Sequence, residues 1–495
     1  MLLFRKILFY LFILIYLIGC PIIILNALGI VFRPDQKEMI QSTGLISLAT
    51  IPEGASVFIN GEPHDQKSPT VIRNLPEGIY AVRVTLDQYH PWEKSVRVVK
   101  EQATALEDII LIPNNWPEDI LSSRDVTQVF CRDDNPFIVL CRGTLLQDVY
   151  VYKMNDPIIT SLKSGFQHSK EEPVRRLFPG GGAYNALRIS SVLLMPKSPF
   201  ALVLARQNDR NWYLWADLKS SGGSIVDVSH LFVGAVGEIF WQYEDSENIF
   251  YISEKDINRI SVKENAVYPR IAGNVKSFGL FHKRLLVMSN DRQFEEIDYL
   301  NNTSKSLMGD WGRMPGVFET PTSLEMYIIS EKLILFIDEV GKLLSNYLPY
   351  ELIPSKVSGI GRASGDRILV WTKTQLGYVD FAEMKREGIF EAGPKIAWIV
   401  TDARDIQQAF WVNDGSHVLL QDKDRIELIE LGSHAAGPSV FEVRKAQGAI
   451  VYSDPLGKVF FVDKDADNLI SLTVIPEHGL VQFAAPDSIN RKESL

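Results

Sequence analysis

The residues best suited to hold an ion lie near the C-terminal end. Asp463-Lys464-Asp465-Ala466-Asp467-Asn468, with Ser471 beyond, sets carboxylates at alternate positions. Calcium takes six to eight oxygen ligands, and alternate carboxylates let one short loop supply several of them. The pattern departs from an EF-hand loop, because Asn468 stands where Gly is usual, Ser471 where an acid is usual, and Val474 where the bidentate Glu belongs. Asp463, Asp465 and Asp467 are therefore candidate calcium ligands, with a solvated turn as the competing reading. No other cofactor is implied. A different chemistry, stacking on sugar rings, needs exposed aromatic faces with a polar edge. Tyr89 and Trp92 are candidates, as is Trp212-Tyr213-Leu214-Trp215, where alternation puts Trp212 and Leu214 on one face and assigns half the set to a core.

Other chemistries lack their residues. The eight histidines form no His-Glu-x-x-His pair. Gly361-Arg362-Ala363-Ser364-Gly365 has its serine displaced from a nucleophile elbow. Phe178-Pro179-Gly180-Gly181-Gly182 lacks the Lys-Ser/Thr of a phosphate loop, and Gly359-Ile360-Gly361 lacks a following helix. These glycines read as turns. A net charge of −10 with no Lys/Arg stripe argues against nucleic acid. The expectation is a chain without catalysis, although scattered carboxylates can still meet in space as an acid/base pair.

The elements that must position these residues begin with an address. Ile7–Phe32 carries no charge and follows Arg5 and Lys6. A run of that length crosses a bilayer with some tilt, so residues 1–33 are expected to be a signal anchor with the bulk of the chain outside the cytoplasm. Leu17-Ile18-Gly19-Cys20 resembles the site at which bacterial lipoproteins are cut and acylated, which makes Cys20 a candidate for lipidation. The apolar run continues past it, however, through Pro21–Phe32. Two further cysteines, Cys131 and Cys141, flank Asp133-Asp134-Asn135-Pro136. They are open to two readings, a bridge across a hairpin or two buried thiols.

From residue 44 to 113 the pattern alternates with period two, as in Ser56-Val57-Phe58-Ile59 and Tyr80-Ala81-Val82-Arg83-Val84. Asn60-Gly61 supplies the positive φ angles of a tight hairpin. Pro52-Glu53-Gly54-Ala55, followed by Ser56–Gly61 and later by Leu75-Pro76-Glu77-Gly78-Ile79-Tyr80, resembles the PEGA domain. That resemblance implies a small β-sandwich of bacterial surface proteins and brings no catalytic residues.

After Pro113-Asn114-Asn115-Trp116-Pro117, which reads as a linker, one pattern recurs: apolar strands separated by Asp-, Asn- and Gly-rich turns. Equivalent central strands fall at Ile138, Leu202, Ile249, Leu285, Leu333, Ile368, Val418 and Val459. Their mean spacing from Leu202 onward is about 43 residues, in the range of four-stranded propeller blades. Phe410-Trp411-Val412-Asn413-Asp414-Gly415 resembles the strand turns of TolB-like propellers. Ala105–Asp108 and Phe381–Arg386 read as short helices.

The expected fold is all-β: a transmembrane helix over 1–33, a PEGA β-sandwich over 44–113, a β-propeller of seven or eight blades over 117–480, and a tail over 481–495. The expected role is non-catalytic recognition or scaffolding at the outer face of a bacterial-type cytoplasmic membrane, with cell-wall or surface polysaccharide or an envelope protein as partner. A propeller hydrolase or lyase acting on envelope polysaccharide is the enzymatic alternative. A structural part of an envelope assembly is the third.

Overall fold

The computed structural model describes residues 2–27, 30–32, 40–122, 126–132, 134–154, 174–177, 184, 186–219, 225–241, 245–281, 284–290, 294–301, 303–306, 324–330, 333–347, 350–354, 356–382, 393–400, 405–431, 438–445, 448, 450–463 and 467–476. One compact unit contains Met1–Trp116, and a second contains Pro117–Glu430 with Val440–Val474.

The first unit opens with helix α1, Leu2–Ala27, which continues unbroken through Cys20 and Pro21. From Phe9 to Ile18 every side chain is large, apolar and at least 40% exposed. No helix among the described residues is long and apolar enough to cross a membrane.

Two four-stranded sheets then face each other. In one, Ile40–Ile51 pairs with Ile30–Phe32, antiparallel with Thr70–Pro76 and parallel with Ala103–Ile110. In the other the order is Glu62–Pro63, Ser56–Ile59, Gly78–Thr85, Trp92–Val98. Asn60 and Gly61 take φ of 49° and 84°, the backbone of the tight hairpin joining Ser56–Ile59 to Glu62–Pro63. Burial alternates strictly along Trp92–Val98, so Trp92, Val96 and Val98 enter one core with Ile46, Leu48, Val57, Val82 and Leu106. Ala105–Asp108 is not a helix. It lies inside Ala103–Ile110, where pairing with Ile40–Ile51 overrides the local helical composition.

The second unit is a ring of eight four-stranded sheets among the described residues, the arrangement of a β-propeller. Blades 1 to 8 begin with the strands Gln128–Phe130, Arg188–Leu194, Ile239–Trp241, Val275–Phe281, Leu324–Ile328, Val357–Ser364, Gln408–Val412 and Ile450–Ser453. Blades 1 to 7 take their four strands in chain order. Blade 8 takes its fourth from the start of the unit, because Glu118–Ser122 pairs antiparallel with Asn468–Thr473. The last blade is thereby closed by the first strand. Arg444 bridges Glu118 and Asp463, and Lys458 Nζ lies 3.3 Å from Asp119.

The second strand of each blade explains why neighbours are obligatory. Phe137–Cys141 and His417–Gln421 are buried at every residue, and alternation sends successive side chains to opposite neighbours. Phe137, Val139 and Cys141 pack on blade 2, against Val192 and Val203, while Ile138 and Leu140 pack on blade 8, against Phe460 and Leu469. Leu202 and Ile249 share the next seam, Phe250 and Leu285 the one after, then Leu286 with Phe336 and Leu335 with Val370. Tyr378 against Trp411 and Phe410 against Tyr452 complete the circle, with ring centroids 5.9 and 6.3 Å apart.

Gly359 and Gly361 are not turn residues. Both lie within the first strand of blade 6, and a Cβ on Gly359 would stand 2.3 Å from Cζ2 of Trp371. The bare backbone makes room for the indole of the adjacent strand. Gly359→Ala is expected to destabilise the propeller by about 1–3 kcal/mol, as overpacking does. Urea denaturation checks this, with Trp371→Leu in the same chain expected to restore part of the loss. An unchanged midpoint for the single variant would contradict the packing argument.

Candidate functional site

The first strands of the blades converge: those of blades 4 and 5 approach each other, as do those of blades 6 and 7 and of blades 1 and 2. They are the innermost strands and surround the propeller's axial channel. Between blades 4 and 5 the approach needs a glycine, since a Cβ on Gly279 would meet Ile328 Cδ1 at 2.8 Å. Inner strands have fewer apolar neighbours than second strands, so polar side chains are tolerated there.

One polar group is acidic. Glu238 immediately precedes the inner strand of blade 3, and Glu325 and Tyr327 belong to that of blade 5. The Tyr327 hydroxyl donates to Glu325 Oε2 at 2.7 Å. The Glu238 carboxyl is held above its usual range, first by enclosure in protein and second by the negative charge of Glu325. Burial, then the Glu325 carboxylate, push the Tyr327 phenol up as well. Blade 4 lies between these two blades, so the charge of Glu325 reaches Glu238 past the inner strand of blade 4. Paired carboxylates, one of them with raised proton affinity, can do acid/base work.

The other group is basic. Asp134, in the turn between the first two strands of blade 1, accepts from Arg132 Nε at 2.6 Å and from Arg362 Nη2 at 2.8 Å. Arg362 comes from the inner strand of blade 6, so this contact also reaches across the ring.

Sequence candidates fall elsewhere. Asp463 ends the second strand of blade 8 and accepts from Arg444 Nη2 at 3.0 Å, which commits it to an ion pair. Asp465 lies outside the described residues. Asp467 takes a φ of 51°, and its carbonyl accepts from Val126 N at 3.1 Å. No group of three or more His, Cys, Asp or Glu suited to a metal occurs among the described residues. Trp92 is buried in the sandwich core, so its ring offers no sugar-stacking surface; Tyr89 packs partly buried against the same core. Trp212 and Trp215 likewise pack in inter-blade seams. Cys20 lies within α1, partly exposed.

Cys131 and Cys141 are not bridged. Phe130 pairs with Val139 and Gln128 with Cys141, which places Cys131 beyond the ladder at the opposite end. Burial pushes the Cys141 thiol up to about 12. The glycine run 180–182 and residues 383–386 of the expected helix Phe381–Arg386 lie outside the described residues.

Glu238, Glu325, Asp134 and Arg362 carry no motif that marks them as functional in the sequence. The available signal was a charged residue in or beside the first strand of a repeat, where the pattern otherwise calls for apolar residues.

Glu238 predicts a pH effect. A carboxyl whose value is raised on folding binds its proton more tightly in the folded chain, so stability falls as pH rises from the ordinary value through the raised one. Glu238→Gln removes this loss. Its urea midpoint should match wild type near about pH 4 and exceed it at about pH 7. Equal midpoints at both values would show that Glu238 is not strained by its surroundings.

Residues 43–109 match the family described as the PEGA domain. No curated protein matches the chain in sequence. Among solved structures, the β-propeller domain of Myceliophteria thermophila Cps50 (Swd1) is similar at 11% identity and a TM-score of 0.37, covering 72% of this chain and 100% of that one. Kluyveromyces lactis Hsv2p is similar at 9% identity and a TM-score of 0.40, covering 66% of this chain and 99% of that one. The chain thus joins a PEGA domain to a β-propeller.

Proposed function

We propose that this is a non-catalytic recognition or scaffolding protein, held by α1 at the outer face of a bacterial-type cytoplasmic membrane. Its partner is an envelope protein or a cell-wall polysaccharide. The observation that carries the membrane reading is the exposure of α1. Phe9, Tyr10, Phe12, Tyr16 and Leu17 are each more than 60% exposed, a continuous apolar surface that water does not tolerate without a covering phase. A bilayer is the simplest such phase: no helix among the described residues suffices to cross one, but the uncharged apolar sequence runs from Ile7 to Phe32. The PEGA match supports the extracytoplasmic address, because such domains are associated with bacterial surface proteins. Two stable β modules in series, with polar groups gathered on the propeller axis, suit a display and binding role.

One observation favours the enzymatic alternative, a hydrolase or lyase acting on envelope polysaccharide. Burial and the nearby charge of Glu325 raise the proton affinity of Glu238, as a general acid requires. Release of reducing ends from envelope polysaccharide by wild type, and its loss in Glu325→Gln, would establish that reading and overturn the non-catalytic one.

The anchor is tested by fractionation. The full chain is expected in the membrane fraction, resistant to high salt and released by detergent, whereas a chain beginning at residue 34 should be soluble. A full chain that stays soluble would end the membrane proposal. Incubation of the detergent-solubilised protein with purified cell wall, and separately with envelope proteins, then identifies the partner.

A further inference from the structure

We propose that Glu118–Ser122 is a releasable strap, which leaves blade 8 while the ring of eight blades stays shut. This property goes beyond the binding role given above and rests on neither the partner nor the membrane.

The strap is attached unlike any other outer strand. In blades 1 to 7 the outer strand follows the third directly in the chain. Glu118–Ser122 comes instead from the start of the unit, so no turn of its own blade retains it. Its pairing is also interrupted. Glu118, Asp119 and Ile120 face Leu472, Ser471 and Ile470, but the register then shifts and Ser122 faces Leu469, which leaves Leu121 opposite no residue. A bulge of this kind gives up ladder bonds.

Little apolar surface is at stake in the strap. Glu118 and Asp119 are exposed, and Ile120 is 65% exposed despite its size. Of residues 118–121 only Leu121 packs, partly buried, on the seam between blades 8 and 1. The strand beneath is the opposite case, with Leu469, Ile470, Ser471 and Leu472 all buried. Ile138, Leu140 and Tyr152 of blade 1 meet Phe460 and Leu469 of blade 8 in that seam. Ring closure therefore resides in second and third strands, and the strap adds to it from outside.

Charge pins the strap in place. Arg444, at the end of the outer strand of blade 7, bonds Glu118, and Lys458 Nζ lies 3.3 Å from Asp119. The acid side chains are 34% and 64% exposed, so water and salt screen both pairs. Release does not strand Arg444, because it keeps Asp463 at 3.0 Å.

The consequence is a joint of two lengths. The first unit ends at Trp116, and the Pro117 carbonyl accepts from Thr473 N at 3.0 Å. Undocking frees residues 117–122, which add up to about 20 Å of reach to the chain between the units. The same step uncovers the backbone edge of Asn468–Thr473, a row of donors and acceptors open to an extended strand.

Hydrogen–deuterium exchange of the full-length protein in detergent tests the strap. Amides of residues 118–122 and the Thr473 amide are expected to exchange together, at least about tenfold faster than the second strands Phe137–Cys141 and Lys458–Asp463. Raising NaCl from about 0.05 M to about 1 M should speed that exchange about threefold or more and leave the second strands unchanged. Arg444→Gln should speed it similarly at low salt, and Lys458→Gln carries the decision if Arg444→Gln does not fold. Strap exchange as slow as that of the second strands would mean that it opens only with the whole ring, which overturns the proposal. Graded exchange along 118–122 with Thr473 still protected is fraying of a strand end, and it overturns the proposal too, as does a rate indifferent to salt. These outcomes leave membrane fractionation untouched.

Discussion

Everything in the larger unit depends on one constraint: the second strand of each blade is apolar on both faces. Such a strand cannot face water on either side, so each blade requires two neighbours and no blade can be terminal. Burying one Leu, Ile or Phe side chain is worth about 1.5–3 kcal/mol, and every seam buries several. An open row would leave two apolar faces uncovered. The chain meets the constraint by lending Glu118–Ser122 to blade 8. The accompanying pairs, Glu118–Arg444 and Asp119–Lys458, are partly exposed and contribute little individually. Closure is held by backbone pairing and by the seam that joins Ile138 and Leu140 to Phe460 and Leu469.

The same constraint decides where polar chemistry can occur. Second strands are sealed by adjoining blades along their middle and keep charge to their ends, as at Arg284 and Lys458, while third strands admit it where it is paired, as Glu296 is with Arg284. Outer strands and turns are wetted and tolerate anything. Inner strands are intermediate: enclosed enough to raise the proton affinity of Glu238, yet open enough to keep Arg362 half exposed. Closing a ring of eight sheets brings distant parts of the sequence to one axis. Asp134 and Arg362 are the clearest case, since no local pattern could pair them.

This separates what was legible in the sequence from what was not. All eight positions chosen as central strands, Ile138 to Val459, lie on the second strand of their blade or, for Leu333, directly before it. Apolar alternation is a local signal, and the second strand carries it most strongly. The hairpin at Asn60-Gly61 was legible because only a few residue pairs accept two positive φ angles. Gly359 and Gly361 were misread because a glycine reports either backbone freedom or lack of space, and only the position of Trp371 decides between them. Trp92, a candidate for sugar stacking by its type alone, belongs to the core, as Val96 and Val98, of the same parity, already indicated. The channel groups were illegible for a different reason: their partners are set by ring closure, which sequence spacing does not encode.

Ring closure also gives the channel a direction. Successive blades repeat the same path, so all inner strands run the same way along the axis. Glu238 stands just before its inner strand and Glu325 near the start of its own. Arg362 lies near the end of its strand, and Asp134 with Arg132 sits in the turn that follows one. Glu238 and Glu325 therefore lie toward one end of the axis, and Arg132, Asp134 and Arg362 toward the other. The separation follows from two placements, Glu238 and Glu325 before or early in their strands and a bulge late in another, and neither disturbs the apolar seams that hold the ring.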